Sequence, residues 1–165
     1  MSARPARVPA PIPLTPAQLR IAQRVADGES TDSIAAQLSI TAGTVNVQLQ
    51  HCGQKLGVSG RAAVVHACFV TGQLPPPEKA ASPEAFSEAE TEAWRMVAIG
   101  ATSQEFAERA RISRDSALGR VRALRERVQA KNDPHLVKLG WSHEVIDESL
   151  TEMASGTILR VPTHR

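Results

Sequence analysis

The chain has no tyrosine, and its 165 residues include only three phenylalanines and two tryptophans. With so few large rings, alanine, leucine, isoleucine and valine must fill the interior, which favours short, closely packed helices over sheet. Cys52 and Cys68 are the full complement of cysteine, so a disulfide framework is excluded, and both fall in apolar helical patterns, as expected in a reducing cytoplasm. His51 and Cys52 are neighbours and therefore point to different faces of a helix, which gives no metal-ligand spacing. No run approaches the roughly 20 apolar residues of a membrane span, and the N-terminus has no apolar signal core. A phosphate loop and a nucleophile–base pair are also missing, so no catalytic residue, cofactor or metal is expected. Lysine is scarce (Lys55, Lys79, Lys131 and Lys138), and arginine carries most of the positive charge; the net charge of +2 by itself says nothing about partners.

What is present is a repeat. From Leu14 onward and from Phe86 onward the sequence aligns without a gap at an offset of 72. Val25 meets Val97, Ala26 meets Ala98, Gly28 meets Gly100, Ala35 meets Ala107 and Ile40 meets Ile112. Hydroxyl residues exchange for one another at Thr15/Ser87, Ser30/Thr102, Thr41/Ser113 and Thr44/Ser116. A tandem duplication explains this, with two units of roughly 60 residues each.

Each copy reads as helices with a helix-turn-helix at its centre. Thr15-Pro16 opens a first helix whose inward stripe is Leu19, Ala22, Val25 and Ala26, and Gly28 closes it. Ser30 caps a second helix, Ser39-Ile40 makes the turn, and Thr41 caps a third with Val45, Leu49, Cys52 and Leu56 inward. A fourth runs from about Arg61 to Val70. In the second copy, Ser87 with Glu90 and Thr102 with Glu105 have capping-box spacing, Ser113 caps the third helix with Ala117, Val121, Leu124 and Val128 inward, and Asp133-Pro134 begins the fourth. The expected architecture is all-α: a basic, proline-rich arm (1–13, with Arg4 and Arg7), a four-helix domain (14–73), a Pro-rich linker (74–85), a second domain (86–141), and a C-terminal segment (142–165). That segment should contain an added amphipathic helix capped by Ser142, with Val145, Ile146, Leu150 and Met153 on one side.

The first copy, through Leu14-Thr15-Pro16, Val25-Ala26-Asp27-Gly28, Ile34-Ala35-Ala36-Gln37-Leu38, Thr44-Val45 and Lys55-Leu56-Gly57-Val58 with Arg61, resembles the DNA-binding domain of LuxR-type transcriptional regulators. The second keeps the first half of that pattern but carries Ser116-Ala117 and Arg127-Val128 at the signature, and its arginine run also resembles the promoter-binding domain of sigma factors. The resemblance implies a recognition helix at the third position of each copy and a homodimer through the fourth helix of the first domain, here around Ala62 to Phe69, unless the tandem heads make such pairing unnecessary. Departures are specific: Asn46 stands where a basic residue is common and Gln48 where His is. The family's pairing of a first-helix Glu with the Arg matched by Arg61 is missing from both copies, which have Gln18 with Arg61 and Glu90 with Asp133.

Candidate DNA contacts follow from the third helices. In copy one these are Thr41, Thr44, Asn46, Gln48, Gln50 and Lys55, polar residues able to read adenine but almost uncharged as a set. In copy two Arg111, Ser113, Arg114, Ser116, Arg120, Arg122, Arg125 and Arg127 form a cationic run, with Arg114 placed for a base edge and Arg120, Arg125 and Arg127 for phosphate. Double-stranded DNA in the cytoplasmic nucleoid is the expected partner, and an extended linker would let two tethered heads reach neighbouring grooves. The alternative is a protein-interaction adaptor in which one or both heads bind RNA polymerase or another regulator, favoured by copy one's low charge.

Overall fold

A computed structural model of the chain describes residues 12–81 and 84–162. The basic arm with Arg4 and Arg7 lies outside the described residues. Eight helices are present among those described: α1 (Pro16–Ala26), α2 (Thr31–Leu38), α3 (Ala42–Leu56), α4 (Arg61–Val70), α5 (Glu88–Ala98), α6 (Ser103–Ala110), α7 (Arg114–Val128) and α8 (Asp133–Ser142). Side-chain oxygens of Thr15, Ser30, Thr41, Ser87, Thr102 and Ser113 each accept a hydrogen bond from a first-turn backbone N–H, satisfying donors that a helix leaves open. Capping boxes form at Ser87/Glu90 and Thr102/Glu105, and a third, not expected from sequence, at Thr15/Gln18.

Every helix of the first half has its bounds repeated in the second half at the offset of 72. The left-handed turn residues repeat likewise: Gly28 and Gly100, Ser39 and Arg111, Gly57 and Gln129, Gly72 and Glu144 all have positive φ. The two halves do not sit apart on a tether. They share one continuous apolar core, in which α4 packs on α8, α1 reaches α8 and α5 reaches α4.

That seam is reciprocal at the level of single residues. A Cβ placed on Gly28 would lie 3.0 Å from Lys131 and 3.1 Å from His135; one on Gly100 would lie 2.9 Å from the Ser59 carbonyl and 3.0 Å from Ala63. Ser59 and Ala63 are the first-half counterparts of Lys131 and His135, so the same patch of each half meets the same patch of the other. Phe69 and Trp141, also counterparts, pack against each other in a tilted pair with ring centroids 5.2 Å apart. Exchange of equivalent surfaces, with an equivalent pair in mutual contact, marks a pseudo-two-fold axis between the halves.

Three expectations are corrected. Ser142 is the last residue of α8 and caps no further helix; beyond it the described chain runs through turns, with Glu144 at φ 59 and an Asp147–Ser149 turn closed by hydrogen bonds to the Asp147 carboxylate. Ile146, Met153 and Leu159 are buried nonetheless, and Glu152 and Ile158 form an antiparallel bridge, so the apolar spacing reflects a strap pressed on the core. The fourth helix of the first half is not free for a partner chain: residues 63–70 are all buried within this one. Finally, the linker does not space the heads. Leu74 is buried, the Ala80 N–H donates to the Ser142 carbonyl at 2.8 Å, and Lys79 pairs with Glu144 at 3.2 Å.

His66 ties the seam to the strap. It is fully buried, its Nε2–H donates to the Leu150 carbonyl at 2.8 Å, and its Nδ1 accepts from the Trp141 indole N–H at 2.9 Å. Burial pushes its pKa below the ordinary value, with the Leu150 carbonyl and Asp147 opposing; burial and nearby Lys131 and Lys138 push His135 the same way. The unfolded chain therefore takes up more protons, so this stabilisation is complete above about pH 6.5 and is lost as pH falls toward the folded-state values. Thermal melts should show a lower midpoint at pH 5 than at pH 7.5, and His66→Gln should flatten that difference.

Candidate nucleic-acid interface

In α3, burial of Val45, Leu49, Cys52 and Leu56 fixes the helix phase, and the opposite face carries Gly43, Val47, Gln50 and Gln54. Gln50 and Gln54 are exposed, and Val47 is 48% exposed, high for an aliphatic side chain. Sequence reasoning missed Val47 and Gln54, although the inward stripe already implied them. Of the expected contacts, Thr41 and Thr44 close the helix start, their hydroxyls 2.9 Å apart. Asn46 is exposed but accepts from Arg61 Nη2 at 2.6 Å. Gln48 and Lys55 turn inward: Gln18 Nε2 donates to Gln48 Oε1 at 3.0 Å, and Lys55 Nζ donates to Gln18 Oε1 at 2.8 Å.

The arginines of the second half divide into two groups. Arg120 lies 3.8 Å from Glu92, Arg125 2.7 Å from Asp133, and Arg127 2.5 Å from Glu90 and 3.6 Å from Glu84. Arg127 also sits over the Phe86 ring at 4.4 Å, and its guanidinium, with the Ser87 backbone N–H, holds the Glu90 carboxyl below its usual range. These three, expected to meet phosphate, already have acidic partners on other elements. Arg109, Arg111, Arg114 and Arg122 are exposed and have no ion pair among the described residues. The first three gather at the α6–α7 turn, beside the positive end of the α7 dipole, where Ser113 and Ser116 form the cap.

Position 18/90 is not left without a cation, although Arg61 turns to Asn46 and Asp133 stands at the equivalent place in the second half. Lys55 and Arg127, equivalent residues near the ends of the third helices, reach Gln18 and Glu90, and also approach the equivalent carbonyls of Pro13 and Ala85. The copies differ where α3 and α7 meet the fourth helices. A Cβ on Gly53 would come within 2.7 Å of the Val58 carbonyl, in the turn that follows α3, and 3.9 Å from Val64 of α4; Arg125 occupies the equivalent position in α7. Beside it a cleft of about 410 Å³ opens, lined among others by Arg61, Ala62, Phe106, Leu118, Val121 and Arg122.

Gly119 lies on the outward face of α7 with nothing within 4 Å of a Cβ built upon it. A mid-helix glycine costs roughly 1 kcal/mol against alanine, and no packing among the described residues requires this half-buried one. Gly119→Ala should therefore raise stability by about that amount. Gly119→Leu should fold normally but obstruct any partner seated against α7, which circular dichroism and a binding titration would separate.

Residues 12–68 match the family model of bacterial regulatory proteins, luxR family, which spans α1 to most of α4. No curated protein and no solved structure matches the chain. No helix among the described residues is long and apolar enough to cross a membrane.

Proposed function

Proceeding from the LuxR-type helix-turn-helix domain in the first half of the chain, we propose that the protein is a sequence-specific DNA-binding transcriptional regulator with two reading heads, α2–α3 and α6–α7. The observation that carries the reading is the exposed cationic cluster of Arg109, Arg111, Arg114 and Arg122 on the second helix-turn-helix, at the position equivalent to the recognition element of the first. Arg111 sits in the turn itself with the same left-handed backbone (φ 57) as its counterpart Ser39 (φ 56), so the second half carries a guanidinium where the first carries a hydroxyl. The division of labour is electrostatic affinity from the second head and base reading from both: Arg114 and Arg122 suit guanine, Gln50 and Gln54 suit adenine, and Val47 suits a thymine methyl.

Fluorescence anisotropy of labelled duplex across a salt series tests this. With Arg109 and Arg111 on phosphate and Arg114 and Arg122 on guanine, the slope of log K against log salt is about −1.8. No measurable binding at low salt would refute the reading and favour the adaptor alternative, in which a head engages RNA polymerase or another regulator. The low charge of α3's outward face is the observation on that side.

A further inference from the structure

We propose that a single chain, as a monomer, occupies two inverted and unlike half-sites, carrying within itself the second reading head that a dimer would otherwise supply. The inference rests on the DNA-binding reading and deepens it by specifying the architecture of the target.

The argument begins with the seam. Two repeats joined head to tail would present different patches to each other, and a contact of position 28 with 131 and 135 would have no mirrored counterpart. Here Gly100 meets Ser59 and Ala63 in the same way, and Phe69 packs against its own equivalent, Trp141. Such self-complementary contact arises from a two-fold rotation, not from a translation along the chain. The third helices, α3 and α7, are therefore related by that same rotation, and a partner read by both presents its halves in opposite orientation.

The seam is also complete. Residues 63–70 of α4 and Leu136, Val137, Gly140 and Trp141 of α8 are buried against one another and their surroundings, with cross-links from Lys138 to Asp27 and from Asn132 Nδ2 to the Gly28 carbonyl at 3.1 Å. The strap closes it further: Ser155 and Thr157 hydroxyls donate to the Gly57 carbonyl, and the Ala154 N–H donates to the Ile99 carbonyl at 2.9 Å. A second copy finds no fourth helix to pair with.

The axis relates backbones but not the reading faces. Position 50 is Gln where 122 is Arg, 54 is Gln where 126 is Glu, and 47 is Val where 119 is Gly. Identical half-sites cannot suit both heads. The target pairs one half bearing adenine or thymine, under α3, with one bearing guanine, under α7.

The test uses the full chain. Selection from a random duplex library should enrich a bipartite, inverted, non-palindromic site, and sedimentation of the complex should give one chain per duplex. Reversing one half-site, or inserting 5 base pairs between them, about half a helical turn, should each lower affinity at least tenfold. Gln50→Ala should relax selection in one half and Arg122→Ala in the other. A direct repeat bound equally well, a lone half-site bound as tightly as the pair, or two chains on a palindrome would each overturn the monomeric inverted arrangement while leaving DNA binding intact. No enrichment at all would overturn DNA binding and this inference with it.

Discussion

Trp141→Ala should remove about 3–5 kcal/mol of stability, the largest loss expected from any single substitution at the seam. The indole is 8% exposed and packs tilted against both Phe69 and His66, with centroids 5.2 and 5.6 Å apart. Its truncation leaves a cavity at the pseudo-axis and withdraws the donor from His66 Nδ1, whose other nitrogen is already committed to Leu150. An acceptor stranded in that interior adds to the cavity cost. Domains of this size hold only about 5–15 kcal/mol in total, so the variant is left with little margin. At roughly 2–4 °C per kcal/mol, its melting midpoint should fall by about 6–20 °C in a thermal melt. Trp141→Phe keeps the ring contact and loses the N–H, and should fall between the two. If the midpoint of Trp141→Ala matches the parent, the α4–α8 seam does not hold the halves together.

The helices were legible because their determinants are local. A hydroxyl three residues ahead of an N–H donor and an apolar stripe at helical spacing specify Thr41–Leu56 and Ser113–Val128 with no knowledge of the rest of the chain. The same locality explains what was missed. Val145, Ile146, Leu150 and Met153 have a helical spacing, yet a chain running through turns buries Ile146 and Met153 equally well. The repeat itself held the corrective: Val70 ends α4, and carrying the offset of 72 forward ends α8 at Ser142, with Glu144 turning where Gly72 turns.

The cationic run was legible as a total and not as a surface. Glu90 and Glu92 on α5 and Asp133 on α8 lie far from α7's centre in sequence, and only the tertiary arrangement brings them to Arg127, Arg120 and Arg125. The seam was hidden for a related reason. The resemblance associates the fourth helix with pairing between chains, whereas here α4 packs on α8 of the same polypeptide and residues 63–70 are buried by it and its surroundings.

Replacing Arg114 and Arg122 together by alanine should weaken duplex binding about thirtyfold or more, each guanidinium contributing roughly 1–3 kcal/mol at a base edge. Neither takes part in an ion pair among the described residues and both are exposed, so the double variant should melt close to the parent. Arg127→Ala should behave in the opposite way. Its guanidinium bonds Glu90 and the Ala85 carbonyl and covers Phe86, so the loss falls on folding, and any of its charge offered to phosphate would first have to leave those partners. Anisotropy titrations of the two variants, run beside their thermal melts, distinguish surface from scaffold. Base-edge contacts leave the phosphate count alone, so the salt slope should stay nearly unchanged for both variants while affinity falls for the double variant only. A reversal, with Arg127→Ala flattening the slope in a protein that still melts like the parent, would move the binding surface to the other side of α7.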